Sequence, residues 1–432
     1  MQTTVTLNER SFLRRESLSQ GLATVIYYCS YRVFLDALYV YLVSPIYGYR
    51  GFYLVADPAK LSLSYLITLI LVLAIPKSDI KVSYKVLQFH LILMIIPVTV
   101  VYGLSDMSTK LMLMVTMCFL LQIYLIRVLP LLRLRRMPFL RRLLHACFAI
   151  NTVLAFGYLL LTQDLNLSAI FLKNIYDIRA ETNLNVMAAY FVTWQYRIIN
   201  PILFVSSYFR RQYGKCAFVA GSQVLIYLFY PHKGILFSIG LISLVFYARQ
   251  KRIRFDRLFM AVLSILGIIA MILSSIGRNV VFALFTRLLF EPARIKFQHY
   301  EFFSKNTKLY FSEGLVGRLL GIVSPYSLGS GYLVSSGVEN ANTGYLIYAY
   351  DNAGFIGMLC MSVLFVTLLL IIDSSMRNQD KNIIFALVVY PMFILNDGDI
   401  LTLMLTGGMF WMISFLMSYR EESLDRKLLN TS

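Results

Sequence analysis

Apolar runs of roughly 17 to 25 residues recur along this chain, and a run of that length suits a helix rising about 1.5 Å per residue across about 30 Å of hydrocarbon. Runs such as LITLILVLAI and LISLVFYA do not alternate polar with apolar residues, so the crossings are helices and not barrel strands. A chain of 432 residues with 58% hydrophobic residues, 14% charged residues and mean hydropathy +0.68 lies outside the composition of a soluble domain. The expected fold class is all-α: a polytopic transmembrane helical bundle of about twelve spans, with residues 1–432 forming one integral membrane domain. Spans are predicted near 22–44, 61–76, 86–104, 110–129, 143–162, 186–209, 216–231, 234–248, 258–276, 343–372, 382–396 and 400–419.

The net charge of +18 does not mark a nucleic-acid binder, because the basic residues sit between apolar runs and not together on a soluble face. Lys and Arg concentrate in cytoplasmic loops. With both termini cytoplasmic, the inner segments hold 25 of the 40 basic residues. The leader NERSFLRRES precedes the first apolar run without a small-residue cleavage site, so the first helix is expected to be retained. Cys29, Cys118, Cys147, Cys216 and Cys360 fall in apolar runs with no close pair, as small packing residues do.

Two outer segments are long, 163–185 and 277–342. In the larger, Arg287, Glu291, Arg294 and Gln298 recur at helical spacing while Phe282, Phe285, Leu289 and Phe297 supply apolar faces, predicting helix at the outer membrane surface. The Gly- and Ser-rich stretch GLVGRLLGIVSPYSLGSGYLVSSG that follows reads as a mobile or tightly turned lid. No repeat of fixed period is visible.

Charges inside spans are costly unless satisfied. Arg32 and Asp36, four apart in the first span, read as a structural clamp or as the wall of a polar cavity. Arg197 lies close to Asn200 and Pro201, where a proline frees backbone carbonyls. Pro231, His232 and Lys233 form a short turn between two apolar runs; Lys233 either snorkels or faces an anionic headgroup. The larger outer segment carries Arg278, Arg287, Arg294, Lys296, Lys305, Lys308 and Arg318 against Glu291, Glu301, Glu313 and Glu339. That excess of cations invites an anionic partner, and the planar guanidinium forks of Arg278, Arg287 and Arg294 suit a diphosphate. A salt-bridged, solvated helix is the plainer alternative. The segment ENANTGYLIYAYDNAGFIG opens a span with Asn340, Asn342, Thr343, Asp351 and Asn352, the amides and hydroxyls that a sugar needs. Nucleotide-binding, zinc-protease and serine-hydrolase motifs are absent, and His90, His145, His232 and His299 are too scattered to suggest a metal centre. Neither a metal nor another cofactor is expected.

From about residue 174 to 408 the chain resembles the bacterial oligosaccharide repeat-unit polymerases of the Wzy type. The resemblance rests on YDIRAE, RIINP, HKGILFS, TRLLFEPARIKFQHYEFFS, NANTGYLIYAYDNAGFIG and NDGDILTLMLTGG, in that order relative to the spans. It implies a membrane glycosyltransferase that joins undecaprenyl diphosphate-linked oligosaccharides into O-antigen or capsular polysaccharide at the periplasmic face of the bacterial inner membrane. It also implies a separate chain-length regulator as partner. By resemblance, Arg179, Arg287, Arg294 and Arg278 are substrate-binding, and His232, Lys233, Asn340 and Asn342 fit the family's motif positions; Tyr300 and Thr343 complete the expected substrate-binding set. The acceptor hydroxyl needs a base, for which Glu301 and Asp351 lead, His299 rivals them and Asp177 stands behind. An O-antigen ligase would use the same donor, and a flippase for the same lipid would line a lumen with polar residues along many spans.

Overall fold

The computed structural model describes residues 7–132, 134, 137–167, 184–273, 282–335, 341–375 and 380–418. Among them there are helices and no strand. Five helices are long and apolar enough to cross a membrane: Val82–Leu104, Thr109–Val128, Leu140–Thr162, Phe255–Ile272 and Tyr345–Ser375. Shorter apolar helices include Pro58–Ala74, Tyr213–Phe229 and Lys381–Ile394. Large apolar side chains such as Leu161, Phe218, Val153 and Ile356 are exposed on these helices, which a bilayer tolerates and water does not.

Local chemistry sets the helix ends. Asp57, Asn185, Asp380 and Asp399 each accept a backbone N–H of the turn that follows, at 2.8 Å, and Pro58 occupies a first-turn position where no N–H is needed. Within the helices, four prolines share one signature. Pro45, Pro97, Pro201 and Pro292 each open an α-helical segment directly behind a wide π-helical stretch, at Tyr39–Val43, Leu91–Ile95, Gln195–Ile199 and Phe282–Phe290. A proline offers no N–H and its ring collides with the carbonyl four residues earlier, so the helix widens ahead of it. Pro391 lies inside Lys381–Ile394 without such a stretch.

The chain forms two compact units. The first comprises Met1–Asp79, Leu87–Val128 and Asp256–Val363. In it Arg32 is fully buried among polar partners from three helices. Its guanidinium pairs with Asp36, donates to Ser64 Oγ at 3.0 Å and to the Thr99 hydroxyl and carbonyl at 3.2 Å, and lies over the Tyr65 ring. Tyr65 in turn donates to Asp36 at 2.5 Å. Of the two sequence readings, this arrangement is the clamp: three helices are pinned by one cation. Gly103 permits the close approach, since a Cβ there would come within 2.5 Å of Ser64 Oγ.

The second unit comprises Ile80–Val86, Leu129–Phe255 and Leu364–Ser432. A chain of amides runs through it. Asn151 and Thr152 donate to Gln195 Oε1, Gln195 donates to Asn200, Asn200 to Gln223, and Gln223 to Ser238, at 2.6 to 3.1 Å. Gln223 and Asn151 also satisfy the carbonyls of Tyr196 and Phe191, beside the widened turn. A polar network of this kind ties the helices that contribute to it together.

The segment expected as one span over 400–419 is instead two short helices, Ile400–Met404 and Met409–Ser418. The break falls at Gly408, whose φ of +77° is left-handed. The indole N–H of Trp194 donates to the carbonyl of Leu405 at 3.2 Å, satisfying a group in the interrupted turn. A Cβ on residue 408 would meet Trp194 Cδ1 at 2.8 Å. Gly408→Ala is therefore expected to destabilise the protein by roughly 1–3 kcal/mol through backbone strain and the displaced indole. Thermal unfolding in detergent, followed by tryptophan fluorescence, would measure it; an unchanged midpoint would mean the break is not constrained.

Candidate active site

A second polar cluster in the first unit is built on an interrupted helix. Tyr345–Ser375 is one long helix broken at Ala353 and Gly354, with Gly354 at φ +64°, a conformation that L side chains resist. Gly357 sits where a Cβ would come within 2.4 Å of the Ala349 carbonyl oxygen, so both glycines of DNAGFIG are required by the bend. The groups exposed by the break are taken up by the preceding segment. Leu309 N–H donates to the Asp351 carbonyl at 2.9 Å, and Phe311 N–H donates to Asn352 Oδ1 at 2.6 Å. Asn352 Nδ2 reaches back to the Tyr348 carbonyl at 2.7 Å. To make these bonds Tyr310 and Phe311 both adopt left-handed backbone, with φ of 51° and 61°. Two bulky residues in succession in that region are strained, and such strain is concentrated at functional sites.

This frame positions Asp351, which is 2% exposed. Its Oδ2 lies 2.7 Å from His299 Nδ1, and His299 Nε2 lies 3.1 Å from the Ala341 carbonyl. A carbonyl only accepts, so Nε2 carries a proton, and the contact between Nδ1 and Oδ2 holds one more. Both imidazole nitrogens of His299, expected as a rival base, are thus engaged, one of them with Asp351. The other carboxylate oxygen, Oδ1, is buried with no hydrogen-bond partner among the described residues.

Lys308 faces the same place. Its amine stands 3.5 Å from the centre of the Tyr350 ring, has no hydrogen-bond partner among the described residues, and is coupled electrostatically to Asp351. Burial pushes its pKa below the ordinary lysine range, and the Asp351 carboxylate opposes that shift. The rings of Tyr300 and Tyr350 lie 5.1 Å apart alongside. Cation, carboxylate and aromatic faces together can bind a hydroxyl-rich molecule and accept a proton from it.

The arginines of the larger segment are deployed unequally. Arg294 is buried and donates to Glu291 at 2.5 Å, with its guanidinium 5.2 Å over Phe52 and packed under Gly51. The pair is salt-bridged as the plainer alternative held, but it is internal and not solvated. Arg287 is exposed. The two were expected on one helical face; the π-helical stretch through Phe290 turns through a smaller angle per residue than an α-helix, which rotates Arg287 away from Arg294. Lys296 is buried against the Pro292 carbonyl at 3.1 Å.

The Gly- and Ser-rich stretch is tightly turned and anchored. Glu313 accepts from both N–H and Oγ of Ser330 at 2.7 Å, and the Tyr326 hydroxyl donates to the Thr307 carbonyl at 2.7 Å. Glu301 is exposed and pairs with Lys305 at 3.5 Å, so it does not join Asp351. Thr343 is buried and Asn342 exposed, immediately before the interrupted helix. Asp177, Arg179, Arg278 and Asn340 lie outside the described residues. His232 and Arg197 belong to the second unit, where His232 directly precedes the helix Lys233–Gln250 and Arg197 donates to the Tyr196 hydroxyl at 2.9 Å. Sequence reasoning missed Lys308, which it counted only as one basic residue among seven; no local pattern marks it. Among the described residues no group of three or more His, Cys, Asp or Glu side chains is placed to hold a metal ion. No family model, curated protein or solved structure matches the chain.

Proposed function

We propose that the chain crosses the bacterial inner membrane about twelve times, with both termini cytoplasmic, and polymerises undecaprenyl diphosphate-linked oligosaccharide repeat units at the periplasmic face. The observation that carries the reading is the buried Asp351 carboxylate, hydrogen-bonded to His299 and with no partner for Oδ1 among the described residues, beside the paired rings of Tyr300 and Tyr350. In this reaction a hydroxyl of the acceptor sugar attacks the anomeric carbon of the donor glycan. The new glycosidic bond forms as the bond from that carbon to the diphosphate oxygen breaks, the hydroxyl proton passes to Asp351 Oδ1, and lipid diphosphate leaves. Since the leaving group carries the developing negative charge, a cation that touches it lowers the barrier. Exposed Arg287 is the candidate for that contact among the described residues.

The test is a glycan gel from cells lacking the gene. Single repeat units capped on the lipid A core, with the ladder lost, are expected, and wild-type protein should restore the ladder. Complete loss of glycan would point to a ligase or a flippase instead.

A further inference from the structure

We infer that Lys308 and Asp351 together bind a single sugar hydroxyl, with Lys308 donating to its oxygen and Asp351 Oδ1 accepting its proton, so that Lys308 is a positioning residue for the acceptor glycan. The inference rests on the reading above for the identity of the glycan, but its geometry stands independently. Asp351 is nearly fully buried, and its Oδ1 has no partner among the described residues. Lys308 Nζ has none either, although its charge is felt by Asp351. The two groups are coupled without forming an ion pair with each other. Burying unsatisfied charged groups is costly, and a bridging hydroxyl satisfies both at once, as donor to the carboxylate and acceptor from the ammonium.

The surrounding residues favour a sugar over a simple alcohol or a phosphate. Tyr350 has one face taken by the amine at 3.5 Å and Tyr300 beside it, so the ring edges are the aromatic surface that a sugar would meet. A phosphate would be repelled by Asp351 and by Glu313, which also acts on the Asp351 carboxylate. Lys308 is held in place by its neighbours: Leu309 N–H is bonded to the Asp351 carbonyl, and the strained Tyr310–Phe311 turn is bonded to Asn352. Among the described residues, the titratable groups that face the amine are Tyr350 and Asp351 on one helix, while His299 on another helix and Glu313 on the following turn act on Asp351.

Two measurements on the full-length protein in nanodiscs test this. In the first, Lys308 is acylated with acetic anhydride and read by mass spectrometry, with an alkyl glucoside or the alcohol of the same chain length as probe. The glucoside is expected to protect Lys308 several-fold, the alcohol not at all, and Asp351→Asn to abolish the protection. Equal labelling with and without glucoside would overturn the inference whether or not the protein extends chains. In the second, chain extension is followed against pH. Lys308→Met should raise the KM for the acceptor unit by about tenfold, the loss expected for one charged hydrogen bond. Wild-type activity should fall as pH rises through the lowered pKa of Lys308, because the donating ammonium is lost. In Lys308→Arg, which stays protonated, that alkaline limb should move to higher pH. A limb that stays put in Lys308→Arg would reduce the lysine to a structural role. Absence of chain extension by the wild type, with glucoside protection intact, would sink the polymerase reading and leave the sugar site standing.

Discussion

Asp351→Asn is expected to lower chain extension by about 10²- to 10⁴-fold, the range over which a positioned general base contributes. Asparagine keeps the shape and can donate its amide N–H to His299 Nδ1, so the loss reports the carboxylate and not the fold. The check is extension of lipid-linked repeat units by protein that elutes as a single species and unfolds at the wild-type temperature. Should Asp351→Asn retain activity within a few-fold, the proton must go elsewhere and the site assignment fails. Glu301→Gln serves as the contrast. Its side chain is exposed and pairs with Lys305, and activity near that of the wild type is expected.

Arg294→Ala should produce the largest loss of stability among substitutions in residues 282–335. It would strand the Glu291 carboxylate, which is 7% exposed and whose Oε2 already has no partner among the described residues. Removing one member of a buried ion pair costs about 3–5 kcal/mol, whereas replacing both by apolar groups is often neutral. Glu291→Leu combined with Arg294→Met is therefore expected to regain most of the lost stability, and chain extension with it. The comparison separates two roles that a single substitution would confuse. If the double variant refolds yet remains inactive, Arg294 touches substrate; if it regains activity, Arg294 is a clamp. Arg287→Ala behaves differently. As the side chain is exposed, the substitution should leave the unfolding free energy within about 0.5 kcal/mol of the wild type while lowering extension. Lost extension at unchanged stability is the signature of a group that meets the leaving diphosphate.

Apolar runs and their interruptions were enough to determine that this chain is helical and where most helices lie, because burial of apolar faces in lipid demands continuous hydrogen-bonded segments. The predicted run 186–209 corresponds to a continuous helical stretch, and Pro201 correctly marked a place where carbonyls need partners. The polar opening of the span at Asn340 to Gly357 was legible as well, since amides and glycines do not belong at a lipid-facing start. What the linear pattern could not carry was contact between segments distant in sequence. Asp351 meets His299 across 52 positions, and Arg32 meets Thr99 across 67. Whether Arg294 offers its fork to a ligand or spends it on Glu291 depends on how far a widened turn rotates one arginine away from the other. Lys308 shows the limit most clearly: as a residue it is one basic side chain among many, and only the break at Gly354, which draws the 308–311 turn onto Asp351 and Asn352, makes it part of a site.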